Sequence, residues 1–177
     1  KSKIFLTQLE TPKEATLYAL KKAKEIGCIT ILNPAPASSI PEEYFQHIDF
    51  FTPNETEASF YVNHPVETHE DASKAATTLL EMGIKNVIIT LGEKGAYFAN
   101  ANETFSSPIA NLSNPVVDTT GAGDAFNAGF AAAITENQGI KEAIAFASAT
   151  AGLSTTKIGT ANSMPSREEI DKILELV

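Results

Sequence analysis

Strand-type runs alternate with helix-type periodicity from the start of the chain to about residue 91, and this alternation constrains the fold more than any other feature. Residues 3–9 read as a strand. A helix follows over 12–26, with Ala15, Tyr18, Ala19, Ala23 and Ile26 as its apolar positions and Gly27 as its stop. Residues 28–32, 48–52 and 87–91 read as further strands, and 70–82 as a helix closed by Gly83. Such a pattern builds an α/β fold, a mainly parallel sheet flanked by helices. Residues 96–99 and 104–108 predict a short antiparallel pair, and helices are expected to about residue 136, over 141–154 and over 166–176.

Length and composition bound the function. The 177 residues suit one domain, and a net charge of −9 argues against nucleic acid or an anionic membrane as partner. The single cysteine, Cys28, can form no internal disulfide and stands in an apolar run, which favours a buried core position in a cytoplasmic protein. No stretch approaches the ~18 apolar residues of a membrane span. The chain begins at Lys1 and enters an apolar strand within a few residues, so it reads as a piece of a longer protein.

One stretch carries chemistry: Val116-Val117-Asp118-Thr119-Thr120-Gly121-Ala122-Gly123-Asp124-Ala125-Phe126. The valines read as a strand end, the glycines as a turn and the Ala/Phe run beyond as a helix. Gly121 and Gly123 permit positive φ and close approach of a ligand. The first turn of the helix offers N–H groups and the positive end of a dipole, which suits phosphate. Asp124 stands there as either a helix-start acid or a general base facing the group that attacks the phosphate. A dinucleotide fingerprint would need glycine where Phe126 stands, and a Walker loop would need Gly-Lys-Ser/Thr; neither is present.

The run from Asp118 to Phe126 resembles the signature of the ribokinase-like (phosphofructokinase-B type) sugar kinases. The resemblance implies an α/β/α sandwich that transfers the γ-phosphoryl of ATP to an alcohol, with Asp124 as base and Gly121, Ala122 and Gly123 as an anion hole. Gln8-Leu9-Glu10 and Asn33-Pro34-Ala35-Pro36-Ala37, each at a strand end, are similar to the ribokinase branch. That branch phosphorylates the 5-hydroxyl of D-ribose, and the Glu carried over to Glu10 contacts the sugar. Read without the resemblance, Glu10 is first a helix-start acid before Thr11-Pro12, and a substrate contact at the sheet's carboxyl edge second. The family's first strands and the β lid through which it dimerises are missing from this chain, so 1–177 corresponds to the C-terminal nucleotide-binding and catalytic part.

Asn54 and Glu57 have capping-box spacing, and the resemblance adds nucleotide phosphate for Asn54 and a water-mediated magnesium shell for Glu57. Thr90, Leu91, Gly92, Glu93, Lys94 and Gly95 are a plain turn by composition and nucleotide contacts by resemblance; Lys94 is a phosphate neighbour or a solvated lysine. Ser148 falls beside the adenine on the same ground. By the same resemblance Asp118, Thr120, Ser154, Lys157 (through its carbonyl), Gly159 and Ser163 correspond to a site for potassium, an activating monovalent cation; without it they read as an ordinary surface loop. Another kinase of the family, such as a deoxyribokinase or fructokinase, and a non-catalytic nucleotide-binding module stay open. His47, His64 and His69 show no zinc spacing.

Overall fold

A computed structural model describes residues 2–112 and 114–175. It contains six strands, β1 (Ile4–Thr7), β2 (Ile29–Leu32), β3 (Phe50–Phe51), β4 (Asn86–Thr90), β5 (Ala96–Asn100) and β6 (Thr104–Ser107), in one sheet of that same order. The helices are α1 (Lys13–Glu25), α2 (Glu55–Val62), α3 (His69–Glu81), α4 (Ala122–Thr135), α5 (Ile140–Ser154) and α6 (Arg167–Leu174). The first four strands pair in parallel, with Leu6 opposite Ile31, Ile31 opposite Phe50 and Phe51 opposite Val87. A three-residue turn joins β5 to β6, and neighbouring strands so closely linked run antiparallel. Its Asn100 amide donates to the Glu103 carbonyl at 3.0 Å. The expected α/β fold, a mainly parallel sheet flanked by helices, is therefore present.

The chain falls into two compact units, Lys1–Gly92 with Tyr97–Ser106, and Glu93–Ala96 with Ser107–Val177. In the first, Leu32, Phe51, Val87, Ile89, Tyr97 and Ala99 from the sheet, with Leu91 just beyond β4, share one core with Leu17, Leu20, Ala58, Ala72, Ala76 and Leu79 from the helices. Ile31, Phe50, Ile88 and Phe98 alternate with them and are buried too. Strands buried on both faces read as continuous apolar runs, which is why they were legible by composition.

Several local expectations are corrected. α1 buries Thr16, Leu17, Leu20 and Ala23, whereas Tyr18 is 62% and Ile26 76% exposed. The expected stripe was built largely of alanines, and two leucines on another face bury more apolar area per residue. Tyr18 instead lies under the Lys22 ammonium, 5.7 Å from the ring centre. The cap of α1 is Pro12, one residue later than a Thr11 cap would give. β3 is only two residues long, although Asp49 and Thr52 on either side still donate to the Thr30 and Leu32 carbonyls.

In the second unit α4 packs on α5 with little space between them. A Cβ added at Gly129 would lie 2.6 Å from Thr150 Oγ1 and 3.1 Å from the Ala147 Cα. Glycine here is a packing requirement. α6 is tied down by Arg167, which donates to Glu136 (2.6 Å) and Asp171 (2.8 Å) and covers the Phe146 ring at 4.9 Å. Among the described residues no helix is long and apolar enough to cross a membrane.

Candidate active site

In the first unit the carboxyl ends of β1 to β4 gather a polar cluster, as expected for an open parallel sheet. Asn54 caps α2: its side chain accepts from the Glu57 amide at 2.8 Å, and Glu57 Oε2 accepts in return from the Asn54 amide at 2.9 Å. The capping-box reading is thus correct in geometry. Asn54 also bridges to Thr90, whose amide donates to the Pro53 carbonyl at 3.0 Å. Gly92 follows with φ 54°, and a Cβ there would come to 3.5 Å from Glu55 Oε1. Asn54, Glu57, Thr90 and Gly92 are therefore neighbours, with buried Leu91 between the last two.

Glu57 is unusual for a capping acid because it is only 8% exposed. Burial pushes its carboxyl above the ordinary range, with Glu55 acting in the same direction, while the Asn54 amide and the Asn33 side chain pull against them. The Asn33 Nδ2 lies 3.5 Å from Glu57 Oε2. In the sequence Asn33 stands out as the first residue of the strand-end run Asn33-Pro34-Ala35-Pro36-Ala37, with no role of its own. Its asparagine before two prolines was visible, but nothing in the sequence said which carboxylate it would face. Glu10 is exposed, two residues beyond Gln8, whose Nε2 donates to Asn33 Oδ1 at 3.2 Å.

In the second unit the signature forms a loop entering α4. Val116 and Val117 are not a strand: Val116 is 64% exposed, and the Val117 and Asp118 amides both donate to the Thr155 carbonyl, at 2.8 and 3.1 Å. An acceptor at the end of α5 takes the place of a neighbouring strand. Of the two glycines only Gly121 has positive φ, 79°, where a non-glycine residue would be strained. Gly123 is helical, and a Cβ on it would meet nothing within 4 Å. Asp124 follows on the exposed first turn of α4. The Ala122 amide is turned onto the Thr119 carbonyl at 3.1 Å.

Asp118 latches this loop to the one around Gly159. Its Oδ1 accepts from the Thr120 amide at 2.9 Å and its Oδ2 from the Gly159 amide at 3.0 Å. The Gly159 amide above all, then the Thr120 hydroxyl and amide, hold its carboxyl down to about 2. Thr160, next along, would lie 3.1 Å from a Cβ on Gly121, and its carbonyl accepts from the buried Ser163 hydroxyl at 2.6 Å. Ser154, also buried, donates to the Ala151 carbonyl at 2.7 Å. The Lys157 ammonium pairs with Glu169 at 3.1 Å, leaving only its carbonyl to face a cation. Asp118, Thr120, Gly121 and Gly159 are thus joined directly, with Ser154 and Ser163 at the roots of the same loops. Ser148 is half-buried within α5. Glu93 and Lys94 are exposed, and Gly95 is held where a Cβ would collide with the Ser107 carbonyl.

One unit thus carries a parallel sheet with polar residues at its carboxyl edge, and the other a left-handed glycine leading into a helix that begins with an exposed acid. Residues 2–167 match the pfkB family carbohydrate kinase model, and the chain belongs to that family. It is 41% identical to ribokinase of Haemophilus influenzae over 174 residues, covering 98% of this chain and 56% of that protein. Identity to deoxyribokinase of Salmonella typhi is 36%, over 99% of this chain and 57% of the relative. The structure of Arabidopsis thaliana ribokinase complexed with ribose and ATP superimposes with a TM-score of 0.93 at 36% identity, covering 98% of this chain and 56% of that one. The chain spans about half the length of the curated relatives it matches.

Proposed function

We propose that this chain is the C-terminal part of an ATP-dependent sugar kinase that phosphorylates the 5-hydroxyl of D-ribose. The observation carrying the reading is Asp124, an exposed carboxylate in the first turn of a helix entered through a left-handed glycine. A helix N-terminus attracts phosphate, and a carboxylate set where phosphate would bind repels it, which the role of base toward the attacking hydroxyl accounts for. Asp124 takes the proton from the sugar hydroxyl. The alkoxide oxygen bonds to the γ-phosphorus as the bond to the β-phosphate oxygen breaks, and ADP leaves. The turn from Gly121 to Gly123 is the anion hole; the open space beside Gly123 is where phosphoryl oxygens approach.

Residues 90–95, Asn54 and Ser148 contact the nucleotide, and Glu10 contacts the sugar. The donor set suits the metals. Glu57, a buried carboxylate with one oxygen held by an amide, fits the water shell of magnesium, which would neutralise charge on the phosphates. The loops carrying Asp118, Thr120, Ser154, Lys157, Gly159 and Ser163 would hold a potassium ion through carboxylate, hydroxyl and carbonyl oxygens. Dimerisation through the lid of the longer protein completes the reading.

A second reading, phosphorylation of deoxyribose, is favoured by the 36% identity to a deoxyribokinase over nearly the whole chain. Both are tested by phosphate transfer from ATP to ribose, deoxyribose, fructose and adenosine, with the full-length protein and its Asp124→Asn variant. Ribose-selective transfer that collapses in the variant supports the first reading. Transfer to another alcohol changes the substrate, and nucleotide binding without transfer to any of them makes the protein a binding module.

A further inference from the structure

Asn33 has no part in the chemistry above, yet three strand ends meet on its side chain. It follows β2 directly and is 8% exposed. Its Nδ2 donates to the Thr52 carbonyl at 3.0 Å and reaches Glu57 Oε2 at 3.5 Å, and its Oδ1 accepts from Gln8 Nε2 at 3.2 Å. Its own backbone amide donates to the Thr7 carbonyl at 3.0 Å. These partners fix which way the amide points. The nitrogen must face a carbonyl and a carboxylate, both acceptors, and the oxygen must face the Gln8 donor. An apolar side chain would fill the same volume without the cost of burying an amide, so packing alone gives no reason for asparagine here.

We propose that Asn33 is a positioning residue for Glu57. It holds the carboxylate in the orientation that receives a divalent cation, and it ties that orientation, through Gln8, to the end of β1 that bears Glu10. The proposal rests on the reading of Glu57 as an acid of the magnesium shell. Groups that orient a ligating carboxylate matter nearly as much as the ligand itself, and losing one commonly weakens metal affinity or activity by about 10- to 100-fold.

The test uses the full-length protein with Asn33→Leu, Gln8→Leu and Glu57→Gln, and Mn2+ as the probe. Water-proton relaxation reports Mn2+ affinity in the presence of ATP, and transfer assays report the Mg2+ concentration needed for half-maximal rate. For Asn33→Leu, Mn2+ affinity falls about 10-fold or more and the Mg2+ requirement rises in step, while kcat at saturating Mg2+ and the sugar KM change little. Gln8→Leu, which leaves the buried amide in place, gives a smaller change of the same sign and keeps the test valid should Asn33→Leu fail to fold. Weakened Mn2+ binding in Glu57→Gln with unchanged binding in both other variants overturns the positioning role alone. Unchanged binding in all three overturns the magnesium reading of Glu57, and the proposal with it.

Discussion

Each unit holds one acid at the heart of its functional loops, and the two are held in opposite ways. Glu57 is buried, and desolvation outweighs its two donors, so its charge is costly. Asp118 lies nearer the solvent, with a separate backbone donor on each oxygen, so its charge is favoured and its carboxyl is held at about 2. The balance of burial against donors, rather than residue type, decides what each can do. Asp118 latches two loops and keeps its charge without the help of a divalent metal. Glu57, whose charge is the costlier one, is the acid that a nearby cation would relieve more, in keeping with the role proposed for it.

The largest expected effect breaks the chemistry and leaves the architecture. Asp124→Asn should lower kcat by roughly 10²–10⁴-fold, with ATP affinity nearly unchanged in a binding titration. Retained turnover would return Asp124 to the role of a helix-start acid. Next comes Glu57→Gln, expected to raise the Mg2+ requirement by about 10- to 100-fold in the same assay.

Glycine substitutions sharpen the contrast inside α4. Gly129→Ala forces a Cβ into Thr150 and should destabilise by about 1–3 kcal/mol, read as a lower denaturation midpoint. Gly123→Ala meets no neighbour and should stabilise the helix by up to about 1 kcal/mol while slowing transfer. A variant equally active and more stable would show that no phosphate approaches that face.

The smallest effect is in pH. Asp118 is depressed on folding, so its stabilising contribution is present above its unfolded value of 3.8 and is lost as pH falls through about 2. Glu57 is raised, so its contribution has the opposite sign: present below 4.5 and lost as pH rises through the folded value. The Gly159 amide resonance, followed by NMR without added monovalent cation, should shift near pH 2. Movement centred near pH 4 would mean that the latch is not formed in solution.

Most of the fold was legible because its signals are local. The strands are short apolar runs buried on both faces, Gly27 and Gly83 end helices with φ of 86° and 98°, and Asn54 with Glu57 declares a capping box within four residues. The errors came where a choice depended on distant partners. Ala15 and Leu17 both belong to helical stripes, and only the packing of α1 says which stripe faces inward. Val116 and Val117 have strand composition, but their amide acceptor is a single carbonyl at the end of α5.

The candidate site divides in the same way. Gly121, Gly123 and Asp124, and the pair Asn54 and Glu57, could be named from spacing, since a turn and a helix start require them within a few residues of one another; the other site residues came from the resemblance. Composition and order by themselves determined a mainly parallel α/β chain with a glycine turn entering a helix and an acid in that helix's first turn. Only the tertiary structure decided that Gly121 and not Gly123 is left-handed, that Asn33 faces Glu57 across 24 residues of sequence, and that Asp118 reaches Gly159 across 41. Hydrogen bonds of that range depend on where the chain returns, and no local pattern encodes the return.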